Sequence, residues 1–462
     1  GGGFEDRVLG GRLRLHGSAQ VLRFRADILD AVTFPTAGTT TVTEFDEETS
    51  GELGATFERT LPGSTQFELT AIHRSLRERG GERSAEADEW SLVRDDSDAS
   101  ESILRTLMRH NNGALTYEGG LELAMNTLDD RSSLIENDIN VPIPNANVRV
   151  EERRSEAFVS AIWALNQSWS AELGSRFEYS ELTQSGNGQL RKTFLFPKPR
   201  ALLTWSRGTD KVRLLVERNV GQLDFEDFAS SVSLSTGTVT AGNPDLEPDR
   251  TWLAEVSWER SLLDNGAFTI ALRHEEIDDL VDRIPVIADE TFDAIGNIGP
   301  GVRNEVEVDM TLPLDGVGLS AALLKVAALW RHSQTTDPVT RESRTISDDM
   351  PLEAAVHFSQ AVPNWNGRWG VDLTLPTEER EYHFDEIRTD ALGAMLNVFV
   401  EFEPVRSWNI RLFVNNLTDR SAIREREVYE GMRSEAPMRY VETRTLDIGT
   451  YAGMQVRRRF GE

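Results

Sequence analysis

The chain has 462 residues, no cysteine and a formal net charge of −28 at pH 7. Without cysteine it forms neither disulfides nor thiolate metal sites, and its acidic balance argues against nucleic-acid binding, which needs a basic surface. No run of eighteen or more apolar residues is present, so no transmembrane helix is predicted. A search for long apolar runs does not detect a membrane β-barrel, because its strands alternate apolar and polar side chains. Composition therefore leaves a large soluble β-protein and a membrane barrel both open.

Segments of regular alternation recur along the chain. In one of them Leu121 and Leu123 alternate with Gly120 and Glu122, the period of two that is typical of a strand. One face of each segment is apolar and the other carries charge, which favours lipid outside and a wet or plugged lumen inside. A soluble sandwich would instead pack an aliphatic face against a second sheet. The segments with this pattern include 157–165, 173–179, 212–216, 252–258, 306–312, 369–375, 396–402 and 408–414.

Short turns and long polar stretches alternate between these segments. Turns such as Asn166–Ser168 and Gly208–Asp210 are predicted on one side of the sheet, and seven of the ten tryptophans lie beside such turns. Short turns on one side, long loops on the other and an aromatic girdle are typical of outer-membrane barrels. The predicted long loops are Ser75–Ser100, Thr127–Glu152, Gly221–Asp249, Pro285–Gly301, Ser333–Met350 and Thr418–Tyr440.

The fold class predicted from these patterns is all-β: a large antiparallel up-and-down transmembrane β-barrel. About nineteen strands are readable between Gly10 and Phe460, whereas bacterial single-chain barrels usually have an even number. Counting back from the turn at Leu61–Ser64, the strand Gly11–His16 is predicted to run toward the short-turn side, without its upward neighbour. This favours a chain that lacks its N-terminal part over a miscount of one or two strands. Ser102–His110 is also compatible with a helix.

Two short motifs and the last strand resemble TonB-dependent outer-membrane receptors. Asn243, Pro244, Leu246 and Pro248 stand as in the family's Asn-Pro-x-Leu-x-Pro-Glu signature, with Asp249 in place of its Glu. The second motif comprises Asn416, Leu417 and Asp419, and the terminal aromatic residue is Phe460. The first three resemble the Asn-Leu-x-Asp element before the last extracellular loop. Phe460 resembles the aromatic residue that ends the family's last strand, although Gly461 and Glu462 follow it.

The resemblance implies a function without bond chemistry: energised uptake of a scarce ligand across the bacterial outer membrane. The ligand would be a ferric siderophore, another metal chelate, cobalamin or a glycan. Residues 1–462 would form the barrel domain of a monomeric receptor, in a family whose barrels have 22 strands, with the plug and first strands missing. Its partners would be outer-membrane lipid, an unidentified small molecule, and the TonB complex acting through the absent plug. No cofactor is implied.

No catalytic or metal-binding motif stands out in the sequence. The seven histidines are scattered singly and form no H-E-x-x-H pair, so a zinc hydrolase is not indicated. The run Asp95-Asp96-Ser97-Asp98 has the carboxylate density of a calcium loop, but it lacks the glycine and closing glutamate of an EF-hand. A solvated acidic loop is the favoured interpretation. The chain is therefore not expected to be an enzyme.

The best candidates for ligand capture lie in and before the loop 221–249. They combine charge with aromatic surface at the predicted barrel mouth: Arg218, Asp224, Phe225, Glu226, Asp227 and Phe228. Such a set suits a polar ligand with an apolar body. In the alternative interpretation Phe225 and Phe228 fold the loop onto itself. Two rival functions also stay open, a plugless porin for passive diffusion and a secreted, soluble β-rich enzyme or binding protein.

Overall fold

A computed structural model describes residues 1–32, 38–86, 89–234, 238–262, 265–287, 291–405 and 407–458. Within these ranges the chain has 29 strands and three 3₁₀ helices of three residues each. A membrane-spanning helix would need about twenty apolar residues, and none of the described helices approaches that length or apolarity.

The elements have the following bounds. The first half contains β1 Gly2–Val8, β2 Gly11–Val32, β3 Gly38–Leu61, β4 Thr65–Glu86, β5 Glu89–Asn112, β6 Leu115–Glu136, β7 Ile139–Val141, β8 Asn147–Ala164, β9 Trp169–Gly186, β10 Leu190–Arg207, β11 Asp210–Val220, β12 Ser231–Ser233, β13 Thr238–Ala241 and β14 Arg250–Leu262. The second half contains β15 Gly266–Asp278, β16 Val281–Ile287, β17 Thr291–Asn297, β18 Gly301–Pro313, β19 Ala322–Thr336, β20 Ser343–Arg344, β21 Leu352–Val362, β22 Gly367–Thr374, β23 Thr377–Tyr382, β24 Glu386–Leu392, β25 Met395–Val405, β26 Trp408–Asn415, β27 Ser421–Tyr429, β28 Met438–Asp447 and β29 Tyr451–Arg458. The 3₁₀ helices are Glu226–Phe228, Asp315–Val317 and Pro363–Trp365.

Nineteen strands form one antiparallel meander, which confirms the predicted fold class and strand count. They are β1–β6, β8–β11, β14, β15, β18, β19, β21, β22, β25, β26 and β29. The short strands β7 and β20 also join this sheet. In the described ranges β1 pairs with β2 and β29 pairs with β26. The other eight strands form two four-stranded sheets, built from the long connections 221–249, 279–300, 375–394 and 416–450.

The two faces of the meander differ as the alternation predicts. On the outer face Leu121, Val159 and Leu173 are exposed, each to about 60% or more. On the inner face Glu156 and Glu178 are buried, and Lys198 bridges them, at 2.8 Å from the Glu178 carboxylate. Apolar side chains accept hydrocarbon around them, whereas ionic side chains need partners or water. The outer face is therefore the lipid face and the inner face encloses the lumen.

Two of the predicted long loops are wrong, because Ser75–Ser100 and Thr127–Glu152 belong largely to continuous strands. Strand β4 runs on to Glu86, and β5 begins at Glu89. A strand needs only about 9–11 residues to cross a membrane, whereas β2–β6 have 22 to 24. At Ser75, Ser100 and Thr127 the outward side chains change from apolar to polar or charged, so the alternation ends while the strand pairing continues. The wall thus rises well above the lipid band.

The predicted direction of Gly11–His16 is also wrong. A tight turn at Leu9–Gly10 precedes β2, with positive φ angles of 53° and 73°. This turn lies at the same end of the sheet as the turn after Leu61, so β2 runs away from the short-turn side. Its neighbour β1 is present and antiparallel to it. Ser102–His110 lies inside β5 and is not helical.

Tryptophans mark the short-turn end of the sheet, as the sequence indicates. Trp163 and Trp169 flank the turn between β8 and β9, and Trp169 pairs across the sheet with Trp205. Further along, Trp258 makes an edge-on contact with Phe268 at 5.7 Å. Amphipathic rings at one level of the wall are typical of a membrane interface.

The assignment of the faces makes a prediction for two neighbouring positions in β8. Arg at Val159 points into hydrocarbon and should cost about 2–4 kcal/mol near the bilayer midplane. Arg at Ser160, on the inner face beside Glu118 and Glu172, should be tolerated. Folding into lipid vesicles, followed by urea titration, measures the free energy of unfolding of both variants. Equal stability of Val159→Arg and Ser160→Arg would contradict the assignment.

Candidate functional site

The loop 221–249 folds back against the inner wall. Phe228 and Leu246 are both fully buried, and they form one apolar cluster with Leu128, Val150 and Leu182 of β6, β8 and β9. Burying a large apolar side chain contributes about 1.5–3 kcal/mol. Two apolar anchors, near the two ends of the loop, therefore hold it inside the barrel mouth.

Hydrogen bonds join the same loop to the connection between β6 and β8. The backbone oxygen of Ser230 accepts from the hydroxyl of Ser132 at 3.1 Å, and the Ser230 hydroxyl donates to the Pro144 carbonyl. Gly242 donates its N–H to the Ser230 hydroxyl at 3.0 Å and accepts from Asn145 at 2.9 Å. A Cβ on Gly242 would lie 2.2 Å from the Phe228 carbonyl oxygen. Only glycine fits this close approach of two backbone segments.

The first family motif has a structural role in this loop. The Asn243 amide donates to the Ile295 carbonyl at 2.9 Å, and its Oδ1 accepts from the Asp245 N–H at 2.9 Å. Leu246 supplies one apolar anchor, while Pro244 and Pro248 are half-buried beside it. An asparagine followed by proline stabilises a local turn. The motif therefore fixes the end of the loop where β14 begins.

The second family motif closes the top of β26. Asn416 is completely buried with φ of 57°, and its Oδ1 accepts from the Arg420 N–H at 2.8 Å. Its amide nitrogen donates to the Gly449 carbonyl at 3.1 Å, which links the two ends of the loop before β29. Leu417 is exposed, and Asp419 also has a positive φ, of 50°. Phe460 lies outside the described residues.

A cavity of about 750 Å³ opens between the loop and the inner wall; we call it the lumen cavity. Three of the predicted capture residues line it: Asp224, Phe225 and Glu226. The wall contributes residues from β2 to β6, at the level where the outer lipid band ends. They are Ser18, Ala19, Gln20, Ser50, Gly51, Glu52, Arg74, Ser75, Leu76, Ala99, Ser100, Glu101, Asn126, Thr127 and Leu128, with Gln222 and Leu223 from the loop.

The other three predicted residues lie elsewhere. Phe228 belongs to the apolar cluster and meets Phe225 edge-on at 6.4 Å, as in the interpretation of a self-packed loop. Arg218 lies on β11, where its guanidinium donates to the Pro197 carbonyl at 3.4 Å. Asp227 is half-buried, and its pKa rises to about 6 because of burial and the nearby carboxylates of Asp224 and Glu226.

Several residues that line the cavity were not predicted from the sequence. Arg74 donates to Glu52 at 2.6 Å and to Glu101 at 3.2 Å, forming a charged bridge across three strands. Asn126 is more than nine-tenths buried and donates its amide to Glu152 at 3.2 Å. These residues share the inner face of neighbouring strands. Strand register brings them together, and alternation alone does not reveal the register.

A second depression adjoins the lumen cavity, and Glu226 lines both. We call it the acidic cleft. In the described part of the chain seven carboxylates line it and no lysine or arginine does: Glu44, Asp46, Glu78, Glu82, Asp95, Asp130 and Glu226. The cleft lies above the lipid band, because Asp130 follows Thr127 on β6. Across the sheet Asp130 lies opposite Ser97, and Asp95 lies two residues before Ser97 on β5.

The crowding of these carboxylates changes their proton affinity. Burial, and then the charges of Asp95 and Glu226, raise the pKa of Asp130 to about 7. Burial and the Asp224 charge raise the pKa of Glu226 above its ordinary value. Burial and the charge of Glu226 also raise the pKa of Glu78. Opposite charge nearby would lower these values, so the cleft has a strongly negative potential.

The acidic run Asp95–Asp98 is not the solvated loop that the sequence favoured, because it lies within β5, and its side chains do not form one cluster. Asp95 to Asp98 lie in β5, where neighbouring side chains point to opposite faces. Asp96 pairs with Arg79 at 2.9 Å on the outer face, and Asp95 accepts from Ser132 at 2.6 Å on the inner face. Within the described ranges, no group of three or more His, Cys, Asp or Glu residues has the arrangement of a metal site.

A separate network of buried ion pairs joins the later extracellular loops. Arg344 pairs with Asp282 at 2.9 Å and with Asp337 at 3.0 Å, and these side chains are almost fully buried. His383 lies between Asp293 at 2.8 Å and Glu381 at 3.1 Å. Burial alone would lower the pKa of His383, but the hydrogen bonds to these two carboxylates raise it. The network fixes three loops to one another.

Comparisons with known proteins agree with this architecture. The family model described as "TonB dependent receptor-like, beta-barrel" matches residues 8–417. The ferripyoverdine receptor of Pseudomonas aeruginosa superposes with a TM-score of 0.65 at 9% identity, covering 99% of this chain and 69% of that one. The ferric-catecholate import receptor Fiu of Escherichia coli K12 gives 0.62 at 10% identity, covering 98% and 76%. The ferric yersiniabactin uptake receptor FyuA of Yersinia pestis gives 0.57 at 12% identity, covering 99% and 77%. No curated protein matches the chain.

The fold and the two faces of the sheet define an outer-membrane β-barrel. The chain belongs to the TonB-dependent receptor family, as the family match over residues 8–417 shows. The resemblance noted in the two motifs is thus confirmed, and so is the location in the bacterial outer membrane. Members of this family and the similar structures are receptors and transporters rather than enzymes.

The close approach at Gly242 predicts how the loop can be released. In Gly242→Ala the new Cβ should push the loop away from Phe228, and overpacking of this kind costs about 1–3 kcal/mol. Amide hydrogen exchange over residues 222–228 should become faster. Gly316→Ala is the control, since nothing lies within 4 Å of a Cβ there. Unchanged protection of the loop in Gly242→Ala would show that this contact does not hold it.

Proposed function

We propose that this barrel is the transport part of a receptor for energised uptake of a scarce small molecule, and that the lumen cavity captures this ligand. The observation that carries the proposal is the cavity itself, built in the mouth of a TonB-dependent receptor barrel. Its volume falls in the range of ligand pockets, about 300–1,000 Å³. Its lining mixes apolar groups with convergent polar and charged groups, as a ligand site requires.

The anchored loop supports this location of the site. Asp224, Phe225 and Glu226 are held over the wall by the neighbouring Phe228, which is completely buried. A pre-formed site loses less conformational entropy on binding than a mobile loop does. The loop thus presents an aromatic ring and two carboxylates to a ligand that enters the mouth.

The ligand classes follow from the family and from its similar structures. One of these structures contains ferripyoverdine, and two others are named for ferric chelates. In our proposal the ligand of this chain is a ferric siderophore, another metal chelate, cobalamin or a glycan. In the same proposal residues 1–462 form the barrel domain of a monomer, and the TonB complex acts through a plug domain that is not among these residues.

Uptake by cells tests the proposal. Cells producing the protein in their outer membrane are given radiolabelled ferric citrate, ferrioxamine, cyanocobalamin or maltohexaose. We expect at least one of them to accumulate, and a protonophore to abolish accumulation, because TonB coupling consumes the proton gradient. Ser50→Trp fills the lumen cavity and should lower accumulation at least tenfold. Thr49→Trp, on the outer face of the same strand, is the matched control.

Each departure from this result counts against a defined part of the proposal. Accumulation that survives the protonophore would favour the plugless porin. Accumulation that depends on the protonophore but is equal in Ser50→Trp and Thr49→Trp would remove the lumen cavity as the capture site. Absence of accumulation for all four compounds would count against these ligand classes.

A further inference from the structure

We propose that the lumen cavity and the acidic cleft select a ligand with a net positive charge, either an organic polyamine or a cationic metal complex. This inference rests on the proposed function: a cationic metal complex is one kind of the metal chelates named there, and an organic polyamine is a further ligand class. It comes from the charges of the lining residues, from one buried acceptor without a partner, and from a contrast with the rest of the inner wall.

The lining of the lumen cavity is dominated by negative charge. Among the described residues its only basic lining residue is Arg74, whose guanidinium already binds Glu52 and Glu101. Asp224 and Glu226 add two further carboxylates from the loop. An anionic ligand would therefore meet several carboxylates and only one cation, which is already engaged. Like charges brought together in a partly dry site cost several kcal/mol.

The acidic cleft extends this negative surface upward. Within the described ranges, no salt bridge joins Asp46, Glu78 or Asp130 to a basic side chain. Elsewhere on the inner wall carboxylates and arginines are paired: Arg273, for example, bridges three glutamates of β14 and β18. The cleft thus differs from the part of the wall around Arg273, where carboxylates have a basic partner. A bound cation would supply the missing charge.

Asn126 supplies a second, independent indication. Its amide nitrogen donates to the Glu152 carboxylate, which can only accept, so the orientation of the amide is fixed. Its Oδ1 is buried at the cavity wall and has no hydrogen-bond partner within the described part of the chain. A buried acceptor without a partner destabilises the protein, because it has lost its hydrogen bonds to water. A ligand that donates an N–H to the Asn126 Oδ1, from an ammonium group or a metal-bound amine, would satisfy this acceptor.

The proton affinities of the cleft agree with the same ligand class. The pKa of Asp130 lies near neutrality because burial and neighbouring carboxylates disfavour its charged form. A cation in the cleft would reverse this effect and favour the ionised carboxylate. Binding of a cation should therefore release protons at neutral pH, whereas binding of a neutral glycan should not.

Two probes of equal charge magnitude test the proposal directly. Hexaamminecobalt(III) and hexacyanocobaltate(III) are octahedral complexes of charge +3 and −3, and spermidine is an organic cation. Isothermal titration at 0.15 M salt, with the purified full chain in lipid nanodiscs, measures their affinities. We expect both cations to bind at least a hundredfold more tightly than the anion. Tight binding of only one cation would assign the ligand to the metal-complex or the organic class.

A pair of double variants separates the site from the general acidity of the chain. Asp130→Asn with Glu226→Gln removes two carboxylates from the cleft and should weaken cation binding at least tenfold. Asp129→Asn with Glu247→Gln is the matched control: it removes the same charge from two residues that line neither the cleft nor the lumen cavity. Hydrogen exchange in the loop 221–249 shows whether each variant keeps its fold. Equal weakening in the two double variants would overturn the proposal.

The outcomes distinguish this inference from the proposed function. Tighter binding of the anion, lost in Ser50→Trp, would overturn the selection of cations and leave the capture site in place. Protonophore-sensitive uptake of a neutral or anionic compound through the lumen cavity would do the same. If none of the probes binds and Ser50→Trp leaves uptake unchanged, both the inference and the proposed location of the site fail.

Discussion

Every feature of this protein depends on one constraint, the need to satisfy backbone N–H and C=O groups in hydrocarbon without water. A paired antiparallel sheet meets this need, and it imposes a period of two on the side chains. Exposed Leu121 and Val159 and buried Glu156 and Glu178 are two consequences of this same geometry. Lipid requires the first set to be apolar. The second set faces the lumen rather than lipid, so it can include charged side chains, and these determine the chemistry of the lumen.

The height of the wall determines where this chemistry lies. Strands β2–β6 are about twice as long as a membrane crossing requires, so their upper halves have water on the outside and the lumen on the inside. There, the register places Glu48 opposite Glu78 and Asp95 opposite Ser132. The loop 221–249 is anchored to the inner wall by Phe228 and Leu246, which brings Glu226 to these carboxylates. The lumen cavity and the acidic cleft result from this combination of long strands and an inserted loop.

The sequence predicts the lower half of the wall better than the upper half for the same physical reason. Where lipid surrounds the strands, alternation is obligatory, and 157–165 or 252–258 can be recognised directly. Above Ser75 and Thr127 both faces are polar, so hydrogen-bonded strand and solvated loop have similar composition. The turn at Leu9–Gly10 was not predicted, although the dipeptide Gly10-Gly11 is a turn signal, because Leu9 at its first position is not a typical turn residue. The burial of Phe228 and the grouping of Glu52, Arg74 and Glu101 depend on long-range packing and register, which a local pattern does not contain.

The two sequence motifs illustrate the difference between a signature and a binding site. Asn243 and Asn416 are both buried and use their amides to close turns at the extracellular ends of strands. In this chain both motifs have a structural role in a turn. The residues of the lumen cavity are those in which specificity for a ligand would reside, and they lie at positions without a family signature.

The most direct test of the account is a spin-label scan along β8. Single labels at positions 155 to 163 are reconstituted in lipid, and their accessibility to oxygen and to a water-soluble nickel chelate is measured. We expect oxygen accessibility to be high at 157, 159 and 161 and low at 156, 158 and 160, with the opposite order for the nickel chelate. Equal accessibility of the two sets to both reagents would contradict a wall with lipid on one side and an aqueous, ionic lumen on the other.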